Sequence, residues 1–115
     1  MPGMTADLFA GTAVSDLPRA IDWYTQLLGG APAFRPNDQE AVWELASERH
    51  LFLELRPDDA GHTRHLLFVD DLADRVAAAG LRGLHPISDD TLAEGVRKVS
   101  FVDPDGNEFG FGGHA

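Results

Sequence analysis

Few side chains in this sequence are equipped for chemistry, and their spacing narrows what they can do. Glu54 stands between Leu53 and Leu55. On a strand the two leucines share one face and the carboxylate takes the other. There it can act as a base or hold a cationic group, with an ion pair to Arg64 as the structural alternative. His62 and His65 are spaced His-x-x-His, but the segment reads as a linker running into a strand. Strand residues three apart point to opposite faces, so the two do not make a metal pair. His85 precedes Pro86 in a loop and His114 lies in a tail; neither has a nameable partner. The chain contains no cysteine, which excludes disulfides, thiolate nucleophiles and cysteine-ligated metal centres. No Ser/His/Asp order, phosphate loop or dinucleotide fingerprint is present. Phe52 and Trp43 are suited to stacking on a ligand. Trp43 shares a face with Ala41 and Leu45, so it is equally suited to the core.

These side chains need elements to hold them. Leu17, Ala20, Ile21, Tyr24, Leu27 and Leu28 recur at three- and four-residue steps, which predicts a helix. Asp16 is its N-cap, Pro18 fits the first turn, and Gly29-Gly30 ends it. A second helix starts at Asp70 or Asp71 and ends at Gly80; its run of small residues, Val76 to Ala79, suits close packing. Strands are expected at Leu8–Val14, Glu40–Leu45, Leu51–Leu55, Arg97–Val102 and Glu108–Phe111. Asp103-Pro104-Asp105-Gly106-Asn107 is a tight turn between the last two.

The chain also repeats itself. Val14-Ser15-Asp16-Leu17 and Val69-Asp70-Asp71-Leu72 lie 55 residues apart, each after an apolar run and before a helical pattern. A period this long marks a duplicated supersecondary unit. The fold class is therefore α+β: two βαβββ modules forming cupped mixed sheets, within a single domain spanning 1–115. The first module covers about residues 7–55, a linker 56–63, and the second about 64–112. Each half is too small to bury its own sheet face, so the halves should pack together.

The repeated words, together with Ala20-Ile21-Asp22-Trp23-Tyr24, Leu27-Leu28-Gly29 and Phe101-Val102-Asp103-Pro104-Asp105-Gly106-Asn107, resemble the vicinal-oxygen-chelate superfamily. That group includes glyoxalase I, extradiol dioxygenases and the bleomycin- and fosfomycin-resistance proteins. The resemblance covers nearly the whole chain. It implies that metal-using relatives draw one ligand from the first and one from the last strand of each module. Carried over by position, those ligands fall on Phe9, Glu54, Arg64 (with His65 one place off) and Gly110. Phenylalanine and glycine offer no donor, and a one-residue slip turns a strand side chain to the other face. The resemblance therefore implies a metal-independent small-molecule-binding protein like the bleomycin-resistance branch. Glu54, Phe52, Phe9, Arg64, Trp43 and Gly110 would line its ligand site. The alternative is a metal-dependent glyoxalase-like lyase, isomerase or dioxygenase with a degenerate ligand set built on Glu54 and His65. No cofactor is expected.

Bulk properties bound the partners. The 115 residues carry a formal charge of −10, which repels phosphate backbones and argues against nucleic acid. The same charge attracts a cationic ligand, although acidic surfaces also simply keep proteins soluble. Residues 1–15 lack the pattern of a signal peptide, and no apolar run approaches the roughly 20 residues needed to span a bilayer. With no cysteine, a reducing cytoplasm is the expected location. Open sheet edges and an apolar concave face require covering, so a homodimer is expected.

Overall fold

The computed structural model describes residues 6–114. Its elements are β1 (Leu8–Val14), α1 (Leu17–Leu28), β2 (Glu40–Ala46), β3 (Arg49–Leu55), β4 (Arg64–Phe68), α2 (Leu72–Leu81), β5 (Ser88–Thr91), β6 (Val96–Val102) and β7 (Glu108–His114). Short 3-10 turns lie at Pro57–Asp59, in the expected linker, and at Ala93–Gly95. No helix among the described residues is long and apolar enough to cross a membrane.

Local sequence explains the helices. The Asp16 carboxylate accepts the Arg19 N–H at 3.1 Å, and Gly29 ends α1 at a φ of +85°, a conformation that costs glycine little. α1 turns Leu17, Ala20, Tyr24 and Leu27 inward. Asp71 precedes α2 but makes no capping bond; its carboxylate pairs instead with Arg75, one turn on, at 2.6 Å.

The strands form two sheets, ordered β1-β3-β2 and β4-β7-β6-β5, with β1 parallel to β3 and β4 parallel to β7. The second module thus has the full strand, helix and three strands. In the first module only two strands follow the helix. A single bridge from Phe34 to Val42 stands where the third was expected. Pro32 and Pro36 flank that bridge and have no N–H to donate, so the ladder does not extend.

One apolar cluster joins the two modules. It takes Tyr24 and Leu27 from α1, Trp43, Leu51 and Leu53 from the first sheet, and Val99, Phe101, Phe109 and Phe111 from the second, with Leu72 and Ala79 of α2. The helix-packed faces of both sheets therefore share a core. α2 rests against nearly bare backbone: a Cβ on Gly113 would lie 2.8 Å from the Val69 carbonyl and 3.1 Å from the Leu72 Cβ.

The turn between β6 and β7 fastens this core from one end. Asp103 and Asn107 are both buried. The Asp103 carboxylate accepts the backbone N–H groups of Asp105 and Asn107, the Tyr24 hydroxyl at 2.9 Å and the Asn107 side-chain amide at 2.9 Å. Burial, and next the charge of Asp103, hold the Tyr24 phenol far above its ordinary range. A folded-state value raised above the unfolded one gives stability that is complete below about pH 10 and is lost as pH rises further. The expected slope above that point is about 1.4 kcal/mol per pH unit for this one proton. Tyr24 is the only tyrosine, so phenolate absorbance reads it alone. It should appear only as the chain unfolds, and Tyr24→Phe should remove its share of the alkaline slope. Phenolate forming near pH 10 in folded protein would contradict this.

Candidate functional site

Strand alternation gives each sheet a second face, turned away from the helices. On the first sheet, pairing aligns Phe9 with His50, Gly11 with Phe52, and Ala13 with Glu54. Glu40, Val42 and Glu44 of β2 continue the same rows. Phe9 stacks on His50 at 4.2 Å between ring centres, and His50 Nε2 lies 3.1 Å from Asp7. The Phe52 ring lies over Gly11, where an added Cβ would meet its tip at 2.6 Å. Glu54 pairs with Arg56 at 3.4 Å.

On the second sheet the open face carries Arg64, Leu66 and Phe68 of β4, followed by Glu108, Gly110 and Gly112 of β7. Ser100 and Lys98 of β6 lie beside the two glycines. Arg64 pairs with Glu108 at 3.0 Å. Leu66 and Phe68 are more than half exposed, at 54% and 55%, and Phe68 meets the His114 ring edge-on at 5.4 Å.

A cleft of about 890 Å³ is lined by His50, Leu66, Phe68 and His114 of the open-face rows and by His65 of the helix side; of the residues expected at the ligand site, none of Phe9, Phe52, Glu54, Arg64, Trp43 and Gly110 lines it. It runs along the free edge of β4. Leu8, Ala10, Leu45, Leu67 and Phe109 make its walls mainly apolar, and Arg49, Arg75 and Asp70 also line it. Its volume suits a drug-sized ligand.

The residues expected at the site divide into three groups. Phe9, Phe52 and Glu54 share the open face of the first sheet, and Arg64 and Gly110 share that of the second. Trp43 joins neither: it is 4% exposed in the core, its indole N–H donating to the Gly30 carbonyl at 2.8 Å. His65 lies on the helix side of β4, one place from Arg64, with Nε2 3.0 Å from the Gly11 carbonyl and its ring against Phe109. The ion pair considered between Glu54 and Arg64 is replaced by two local ones. Sequence reasoning missed His50, Leu66 and Phe68. Alternation alone would have found them, since His50 shares the parity of Phe52 and Glu54, and Leu66 and Phe68 that of Arg64.

A family model described as the Glyoxalase/Bleomycin resistance protein/Dioxygenase superfamily matches residues 8–111. The chain belongs to this superfamily. A glyoxalase/bleomycin resistance protein from Catenulispora acidiphila has 44% identity and a TM-score of 0.93, over 96% of this chain and 100% of that one. A bleomycin-binding protein solved with bleomycin gives 0.78 at 19% identity, over 96% and 100%. A bleomycin resistance determinant encoded on the transposon Tn5 gives 0.79 at 18%, over 96% and 98%. These two show likeness of fold. No curated protein matches the sequence.

Within this superfamily fold, the strand registers correct one equivalence. The 55-residue offset takes Gly11 to Leu66; Gly11 pairs with Phe52, and Leu66 with Gly110. The counterpart of Gly110 is therefore Phe52. By the same offset Glu54, the last-strand position of the first module by resemblance, corresponds to Gly112, two residues beyond Gly110. Phe9, Phe52 and Gly110 have no donor atom on their side chains, and Arg64 is a cation already paired. Among the described residues, no three His, Asp or Glu side chains come together as a metal site. The residues present do not fit a chelated metal ion.

Proposed function

We propose that this superfamily member is a metal-independent binding protein for a largely apolar, drug-sized molecule. The observation that carries this reading is a largely apolar cleft of about 890 Å³ along β4, in a chain whose resemblance-derived ligand positions Phe9 and Gly110 offer no donor atom. Aromatic and aliphatic walls with few polar groups suit such a ligand. Arg56 is shared between Glu54 at 3.4 Å and Asp59 at 2.9 Å, and Arg75 is paired with Asp71, so the apolar walls of the cleft rather than any free charge decide the ligand's character. A neutral ligand is therefore preferred over a cation.

The open faces expose Phe9, Phe34, Leu66 and Phe68. Apolar exposure on this scale, beside the free edge of β4, favours a second copy as the lid of the site. The working unit is then a homodimer whose ligand lies against the open faces of both copies.

Calorimetric titration with naphthalene, a neutral apolar probe, is the first test, with bleomycin, which a protein of this fold is named for binding, as the polar and cationic comparison. Saturable binding, unchanged after treatment with a chelator, is expected. Elemental analysis of protein purified without chelator should find no stoichiometric transition metal. One tightly held nickel, zinc, iron or manganese ion per chain would overturn metal independence.

A further inference from the structure

Ser100 is 1% exposed, and its hydroxyl has no hydrogen-bond partner among the described residues. A buried polar group without a partner is costly, so each one calls for a reason. Register places Ser100 abreast of Gly110 on β7, and Gly110 abreast of Leu66 on β4, with all three directed to the open face. Because Gly110 has no side chain, Ser100 and Leu66 close over its backbone. A Cβ there would lie 3.2 Å from Ser100 Oγ and 3.3 Å from Leu66 Cδ1. Two residues on, Gly112 continues the strip, covered by Phe68 Cδ2 at 3.2 Å and Leu66 Cδ1 at 3.5 Å. The strip is thus a flat lane of bare backbone, with a hydroxyl beside it and two half-exposed apolar side chains folded across it. Turning an exposed leucine to another rotamer is inexpensive.

We propose that Ser100 is a polar recognition point beside the cleft: it donates a hydrogen bond to an acceptor on a flat aromatic ring lying along Gly110 and Gly112 once Leu66 and Phe68, which also line the cleft, turn aside. This rests on the open face of the second sheet being a ligand surface. An acceptor is assigned because an orphaned donor is rarer in folded proteins than an unused lone pair. A ring is assigned because a planar group covers bare backbone without needing depth.

Quinoline and naphthalene test this directly. They are nearly the same size and shape, and only quinoline carries an acceptor nitrogen. Binding is read from the amide resonances of Gly110 and Gly112. In the unmodified protein quinoline should bind about tenfold more tightly than naphthalene, the worth of one hydrogen bond. Ser100→Ala should bring the two to parity while leaving the chain at least as stable, since it removes a buried orphan. Gly110→Val should block both. Equal affinities in the unmodified protein would overturn the role of Ser100 and leave the ligand surface standing. Binding of neither compound, or shifts confined to other residues, would overturn both.

Discussion

Replacing Asn107 with alanine is expected to destabilise the chain by about 3–5 kcal/mol, a large part of the 5–15 kcal/mol typical of a whole domain. Asn107 is 0% exposed, and three of its four side-chain bonds reach beyond the turn that it closes. Its carbonyl oxygen accepts the N–H groups of Gly61 at 3.0 Å and Thr63 at 3.1 Å. Its amide donates to the Ala13 carbonyl and the Asp103 carboxylate, both at 2.9 Å. Alanine would leave the Gly61 and Thr63 N–H groups without this acceptor, take the side-chain donor from the Ala13 carbonyl and remove one of the four bonds to Asp103, and unpaired buried groups cost more than the bonds themselves contribute. Asn107→Asp should be no milder at neutral pH. It keeps the two accepted bonds, loses both donated ones and sets a second negative charge against Asp103. Urea denaturation measures the difference, and a loss under 1 kcal/mol for Asn107→Ala would show that water or rearrangement replaces the bonds.

The second large effect concerns assembly. If the proposed dimer forms, Phe68→Glu should convert it into a monomer with its fold intact. Phe68 is 55% exposed in the single chain, so its loss removes little of the core. In a two-fold pair the same residue enters the contact twice. Burying an unpaired carboxylate in place of a ring costs roughly 2 kcal/mol or more at each occurrence. Together that is roughly 4 kcal/mol, about a thousandfold in dissociation constant. Sedimentation at high micromolar concentration decides it. An unmodified chain that stays monomeric there, or a Phe68→Glu chain that still pairs, would show that the open face is covered in some other way.

What the sequence disclosed depended on whether neighbours in sequence carried the signal. α1 was legible because its apolar stripe, Asp16 and Gly29 all lie within a few turns of one another. β3 was legible because Leu51 and Leu53 need the core, which sends Phe52 and Glu54 to the other face. β5, Ser88-Asp89-Asp90-Thr91, was not located. It is a polar edge strand with no residue fully buried, so it shows no alternation. Trp43 is apolar on either face, and only the partner of its indole N–H decided between them. The stagger between parallel strands was beyond reach altogether. It is fixed by β1 against β3, more than 40 residues apart in the chain, and it is why Phe52 rather than Glu54 answers to Gly110. The turn from Asp103 to Asn107 was recognised as a turn, but its bonds to Ala13, Tyr24 and Gly61 were not, because nothing local encodes them.

The placing of β7 has a consequence for how the chain is made. β7 lies inside its sheet between β4 and β6, yet it leaves the ribosome after every other described element. Until it arrives, β4 has no ladder partner, α2 lacks the backbone at Gly113 on which it rests, and Asn107 has only just emerged. The first module waits as well, since Phe109 packs against Tyr24. Folding of these elements is therefore held back until β7 has emerged, and non-local pairing of this kind is slow. A ribosome-bound chain arrested before Glu108 should remain protease-sensitive throughout, including the well-formed helical sequence at its start.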